Sequence, residues 1–250
     1  MFSVLVTCLS LTACSDAPVG STANASETGV VLITGANRGL GLEFARQYTD
    51  GGWTVIGTAR KPDQADDLKA LGAEVLALDV TDRASVAALG TAMADRPIDM
   101  LINNAGIFPR QPAIADVDID SYTLTLMVNT VGPVLITQAL LPSLQQGKLK
   151  HIVNMTSQLA SIENNSGENY GYRESKAALN MFTKSLAAEL GPDGFICLAI
   201  HPGWVRTDMG GPNGRLSPEE SVTAMREVID NMTAADNGVF RAFSGEQVPW

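Results

Sequence analysis

A chain of 250 residues, 45% hydrophobic and 18% charged, is long enough to bury a full core. Its formal net charge of −10 argues against a nucleic-acid partner, because that binding relies on Lys and Arg neutralising phosphates. Three cysteines (Cys8, Cys14, Cys197) and two histidines (His151, His201) are too few and too scattered for a disulfide framework or a zinc site, so no metal is expected.

Residues 1–13 are apolar but too short to span a bilayer, and the Ser/Ala/Thr/Asn/Gly tract at 15–29 cannot pack a core. Leu11-Thr12-Ala13-Cys14 resembles a bacterial lipoprotein cleavage box, yet no positive side chain precedes Cys14, where an export signal normally carries Lys or Arg. Residues 1–28 therefore read either as a signal-like segment, with membrane attachment through a lipidated Cys14, or as a disordered extension. Residues 29–250 read as one domain, with no linker-like stretch and no internal repeat.

From Gly29 onward strands and helices alternate: strand 30–34, helix 40–49, strand 54–58, helix 65–71, strand 74–79, helix 82–94, strand 100–103, helix 121–146, strand 151–156, helix 172–190, strand 197–201, helix 218–232 and strand 239–243. Continuous apolar strands imply burial on both faces. The expected fold class is α/β: a single-domain Rossmann-type three-layer fold, with a parallel seven-stranded sheet and helices on both faces. Its ligand should lie at the carboxyl edge, where strand order reverses.

Thr34-Gly35-Ala36-Asn37-Arg38-Gly39-Leu40-Gly41 follows a strand and opens a helix, the context in which a glycine motif points to phosphate binding. Gly35 suits the tight turn, Gly39 lets the backbone approach a pyrophosphate, and Gly41 permits close helix packing. After the second strand, an NAD site usually has a carboxylate for the ribose; this chain reads Thr58-Ala59-Arg60. Arg60 and Arg38 could instead clamp a 2′-phosphate. NADP(H) is thus expected over NAD(H).

Further along, Tyr172 and Lys176 stand four residues apart in a predicted helix, which puts a phenol and an ammonium on one face. A cation beside a phenol favours the phenolate and so eases proton exchange. Ser157 follows the strand at 151–156 directly and is preferred over Thr156 and Ser161; Tyr170 is out of register with Lys176. Cys197, in an apolar run, reads as a small buried hydrophobe.

In chain order the turn Thr34–Gly41, Asp79, Asn103-Asn104-Ala105-Gly106, Asn129, Ser157, Tyr172-x-x-x-Lys176 and Pro202-Gly203 resemble the motif set of the short-chain dehydrogenases/reductases across residues 29–250. Asn37 to Gly41, Tyr172-Arg173, the short C-terminal region and Pro249-Trp250 look most like carbonyl reductases of the Sniffer and C-factor type. The resemblance implies a catalytic set of Asn129, Ser157, Tyr172 and Lys176. Ser157 would bind the substrate oxygen, Tyr172 would donate the proton, Lys176 would also hold the nicotinamide ribose, and Asn129 would support a water leading to Lys176.

For the cofactor, the resemblance places Gly35, Asn37, Arg38, Gly39, Leu40 and Gly41 around the phosphates with Arg60 nearby, and Asp79 and Val80 at the adenine. Asn103, Ala105 and Gly106 would pack beside the adenine ribose, and Pro202, Gly203, Val205 and Thr207 would lie near the nicotinamide. Asp79 could otherwise simply start a turn, and Pro-Gly is also an ordinary turn.

The implied function is NADPH-dependent reduction of ketone or aldehyde carbonyls, with a small-molecule carbonyl or alcohol as partner and room for a homodimer. Only a few residues separate Asp208 from Ser217, so an open pocket with broad specificity is expected. Rival readings are a dinucleotide-binding signalling or sensor protein of C-factor type and a nucleotide-sugar epimerase; the latter usually has a larger C-terminal region. Because free NADPH is an intracellular reagent, a cytoplasmic location is preferred to a lipoprotein anchored through Cys14.

Overall fold

The computed structural model describes Met1 and residues 28–250, so the expectations for the apolar start and Cys14 lie outside the described residues. Seven strands form one sheet in the order β3-β2-β1-β4-β5-β6-β7, every pair parallel. They are β1 (Val30–Ile33), β2 (Thr54–Ala59), β3 (Glu74–Ala77), β4 (Met100–Asn103), β5 (His151–Met155), β6 (Ile196–His201) and β7 (Val239–Ala242). The helices between them are α1 (Gly39–Asp50), α2 (Asp66–Ala70), α3 (Arg83–Met93), α4 (Ile119–Leu126), α5 (Gly132–Gln146), α6 (Tyr172–Leu190) and α7 (Pro218–Asp230).

The period of two along each strand divides the core into two layers. Val31 and Ile33 of β1 meet Phe44 and Tyr48 of α1 and Val222, Met225 and Ile229 of α7. Leu32 faces the other way, into Leu89 and Met93 of α3, Leu140 and Leu144 of α5, and Leu186 and Leu190 of α6. The helices start where the side chains can cap them: Asp82 accepts from Ala84 N, and Ser217 and Glu220 make a reciprocal capping box at α7.

Two expectations need correction. The third strand ends at Ala77 and is half-exposed, because β3 is the sheet edge and has a strand neighbour on one side only. Residues 121–146 are not one helix either. A π-type turn, Met127–Val131, separates α4 from α5, with Gly132 N donating to Met127 O. Pro133 has no N–H to close an α-helical bond on the Asn129 carbonyl, so the helix repacks around that point. By length and composition the 28 residues Ile119–Gln146 could cross a membrane, but here Ile136, Leu140 and Leu144 face the sheet.

A chain of buried amides crosses the middle of the sheet. Asn103 Nδ2 donates to Asn154 Oδ1 at 2.9 Å, and Asn154 Nδ2 donates to Thr183 Oγ1 at 2.9 Å, joining β4, β5 and α6. Asn154→Ala should lower the unfolding free energy by about 1–3 kcal/mol for each buried group it leaves unpaired, read as a shift in urea midpoint at constant m-value.

Candidate active site

β1 and β4 are neighbours, yet the chain leaves β1 toward β2 on one side and returns to β4 on the other, which opens a crevice at their carboxyl ends. The glycine turn forms its floor. Gly35 and Gly39 have φ of 64° and 56°, in the left-handed region, and a Cβ on Gly41 would overlap the Gly35 carbonyl oxygen. Thr34 Oγ1 accepts from Asn104 N and Ala105 N, both at 3.0 Å, and Asn104 Nδ2 donates to Thr34 O at 2.9 Å and Gly35 O at 3.1 Å. The turn after β1 and the turn after β4 are thereby one hydrogen-bonded unit. Asn37 and Arg38 are exposed, and Leu40 packs against the core.

The catalytic candidates converge at the next strand along. Tyr172 and Lys176 are buried on α6, where Tyr172 packs on Phe108 with ring centroids 4.3 Å apart. Lys176 Nζ donates to Met155 O at 2.8 Å. Ser157 caps the short turn Gln158–Ala160 by accepting from Leu159 N at 3.2 Å. Its competitors are occupied elsewhere: Thr156 is buried against Lys176 O, and Ser161 reaches Trp250 O.

Asn129 sits in the π turn with both of its amide N–H groups committed. Oδ1 accepts from Ile107 N at 2.9 Å, while Nδ2 donates to Ile107 O at 2.9 Å and Ser175 Oγ at 3.1 Å. Ser175 Oγ in turn donates to Tyr172 O at 2.8 Å. Ser175 and Phe108 were not singled out from the sequence. A buried Ser one residue before Lys176 was the available signal for the first; the second had none, since the Phe108–Tyr172 contact is purely tertiary.

Electrostatics here follow from burial. The Tyr172 phenol is pushed up by desolvation and pulled back by its hydrogen bond with Ser157. That net direction is opposite to the tuning by Lys176 expected from spacing alone, and it keeps the proton on the phenol at neutral pH. Lys176 is pushed down to about 8, again by burial. Its ammonium has three donors and one protein acceptor, Met155 O, among the described residues. A Cβ on Gly106 would lie 3.6 Å from Lys176 Nζ and 3.3 Å from Asn129 Oδ1, so glycine keeps open the space beside the ammonium.

Just past β3, Asp79 Oδ1 accepts from Thr81 N at 2.9 Å and Thr81 Oγ1 at 2.7 Å, and these bonds, aided by Arg60, hold the carboxyl below its usual range. Asp79 therefore does build a turn, with exposed Arg60 close by. Val80 is buried against Gly132. Asn103 departs from expectation. Its side chain points into the sheet, toward Asn154 and Thr137, so only its backbone borders the crevice beside Ala105.

The segment after β6 closes the far side. Gly203, φ 78°, follows Pro202, whose carbonyl accepts from Ser221 Oγ at 2.7 Å; Val205 is buried. Thr207 reaches the glycine turn, 3.7 Å from where a Gly39 Cβ would be. Arg38 lies 3.0 Å from Asp208 rather than free in the groove, but the pair is exposed and such pairs are worth about 0–1 kcal/mol, so a phosphate can displace it. Among the described residues no His/Cys/Asp/Glu cluster could hold a metal, and burial pushes the Cys197 thiol up to about 12.

A groove that offers bare backbone at a helix start, next to a buried phenol and ammonium, is built for a dinucleotide and for moving a proton beside it, which defines a nicotinamide-dependent oxidoreductase. The chain belongs to the short chain dehydrogenase family, whose profile matches residues 29–215. The NADPH-bound carbonyl reductase from chicken fatty liver is 33% identical and superposes with a TM-score of 0.82, over 89% of this chain and 99% of that one. Sniffer, a carbonyl reductase of D. melanogaster, is 32% identical with a TM-score of 0.83, over 90% and 100%. C-signal of Myxococcus xanthus is 43% identical over 164 residues, 65% of this chain and 99% of that protein.

His201 ends β6, and its Nδ1 accepts from Gly203 N at 3.0 Å, so the ring is held neutral at the turn beside the site. Burial lowers its pKa from 6.5 to about 4. Between those values the unfolded chain binds the proton and the folded chain does not, so this contribution to stability is present above pH 6.5 and is lost as pH falls toward 4. His201→Gln should flatten the thermal-stability profile in that window; an unchanged slope would contradict the assignment.

Proposed function

We propose that this chain reduces ketone and aldehyde carbonyls to alcohols with NADPH. The observation that carries the reading is the meeting of Ser157, Tyr172 and Lys176, braced by Asn129, beside the glycine turn. NADPH supplies the hydride. The residues do the rest: Lys176 holds the ribose hydroxyls, Ser157 Oγ binds the carbonyl oxygen, and the Tyr172 phenol, protonated in its buried setting, gives its proton to that oxygen as it becomes an alkoxide. Both N–H groups of Asn129 are used, so the water leading to Lys176 would donate to an Asn129 oxygen, in the carboxamide or the backbone.

For the cofactor, Gly35, Asn37, Gly39, Leu40 and Gly41 supply the pyrophosphate cradle. Asp79 and Val80 take the adenine, the Asn103, Ala105 and Gly106 backbone takes the ribose, and Pro202, Gly203, Val205 and Thr207 take the nicotinamide. NADP(H) is preferred because β2 ends in Thr58-Ala59-Arg60 without a ribose-binding carboxylate, which leaves Arg60, with Arg38 in the glycine turn, to meet a 2′-phosphate. The NADPH-bound avian neighbour supports this. The segment from Arg206 to Leu216 is a short loop closed by Arg206 N to Leu216 O at 2.9 Å, which supports a broad pocket rather than a long lid.

Likeness to C-signal admits a signalling role, but a protein that only binds a dinucleotide has no use for the complete proton-transfer set. A homodimer, and a cytoplasmic setting where NADPH is abundant, complete the proposal.

Tyr172→Phe should keep NADPH binding and lower turnover by about 10²–10⁴-fold. Substantial residual reduction across ketones, aldehydes and quinones would remove Tyr172 as the acid. Arg60→Ala should weaken NADPH binding by about ten- to hundredfold and leave NADH unchanged, measured by fluorescence titration; equal losses for both cofactors would refute the 2′-phosphate contact.

A further inference from the structure

The strip of chain between Ser157 and Tyr172 takes a demanding course. Gly167, Glu168, Asn169 and Gly171 have φ of 84°, 61°, 55° and 78°, so four of the five residues before Tyr172 are left-handed. Glycine adopts this conformation freely. Asn169 tolerates it through its short polar side chain, but Glu168 does not, and such a residue persists only where its surroundings over-determine it.

Those surroundings centre on Arg173. Arg173 is 9% exposed, and its guanidinium makes three donations: Nε to Glu168 O at 3.0 Å, one terminal nitrogen to Leu159 O at 3.2 Å, and the other to Ser166 Oγ at 3.2 Å. Its backbone N adds a bond to Asn169 O at 3.1 Å. One side chain thus ties a point two residues after Ser157 to a point four residues before Tyr172, from the first turn of the helix that carries Tyr172. All three side-chain acceptors are neutral. A buried guanidinium satisfied this way contributes geometry rather than ion-pair energy, because its rigid planar fork fixes three acceptors at once.

We propose that Arg173 is a positioning residue: it holds the strip 159–171, with its left-handed stretch at 167–171, and so sets the spacing between the Ser157 hydroxyl and the Tyr172 phenol. The catalytic part of this rests on the carbonyl-reductase reading above; the conformational part does not.

The test compares Arg173→Ala, Arg173→Lys and Arg173→Ala/Glu168→Gly with the full wild-type chain by amide hydrogen exchange, NADPH titration and ketone reduction. Expected for Arg173→Ala is faster exchange across residues 159–171 with the turn at 34–41 unchanged. Its kcat should fall by about a hundredfold, as misplaced reacting groups do, while the NADPH Kd stays within about threefold. Lysine keeps the charge but lacks the fork, so Arg173→Lys should recover little. Glycine at 168 adopts the left-handed course unaided, so the double variant should regain part of the lost turnover.

Unchanged exchange across 159–171, full recovery with lysine, or parallel loss of kcat and NADPH affinity would overturn the proposal. Should Arg173→Ala fail to fold, Arg173→Lys decides: reduced kcat with NADPH binding retained supports it, and wild-type kcat overturns it. Absence of ketone reduction by the wild type would defeat the functional reading, and the exchange comparison would still decide the role of Arg173.

Discussion

The site depends on one buried amide that bridges three segments. Asn129 uses its carbonyl oxygen and its amino group to grip both the N–H and the C=O of Ile107, and then reaches Ser175 on α6. Three segments distant in sequence are fixed by that one side chain: the strip after β4 that carries Gly106, the π turn, and the helix that carries Tyr172 and Lys176. Buried amides left unpaired are costly, so the arrangement is strongly specified. The π turn is the local distortion that lets Asn129 reach Ile107 and Ser175 together, and Pro133 is the residue that prevents a regular helix from replacing it.

Burial then sets the chemistry. The same packing that excludes water from Lys176 weakens its hold on its proton, and around Tyr172 it strengthens the phenol's hold. The phenol therefore stays protonated at neutral pH, as a group that gives its proton to an alkoxide has to be. The proposed phosphate contacts rest instead on exposed charge, on a chain of net charge −10. Arg38 meets Asp208 across the groove mouth, and Arg60 stands beside Asp79. Both arginines sit close to carboxylates that a dinucleotide phosphate has to outcompete.

Much of this was legible in the chain itself. Parallel order, the switch point and the glycine turn follow from strand periodicity and from glycines at a strand-to-helix junction, because local sterics determine them. Tyr172 and Lys176 were legible because helical spacing is local too. The third strand was over-extended because Leu78 continues its apolar run up to Asp79, although Leu78 N bonds back to Ala59 O beyond the strand and Asp79 turns onto Thr81. The π turn was missed because the hydrophobic pattern runs on across Gly132-Pro133 and so reads as one helix. The orientation of Asn103 was unreadable, since its partners Asn154 and Thr137 lie 51 and 34 residues away. The left-handed run ahead of Tyr172 was equally hidden, because neither Glu168 nor Asn169 announces positive φ.

The central claim is that this cleft passes a hydride from NADPH to a carbonyl carbon and a proton through Tyr172 to the oxygen. Incubating the wild-type chain with a ketone and NADPH deuterated at the transferred position of nicotinamide C4, then locating the label in the product, tests it directly. The account predicts one deuterium on the new carbinol carbon and none gained there from D2O when the cofactor is unlabelled. NADPH that binds but leaves no deuterium on carbon would contradict it.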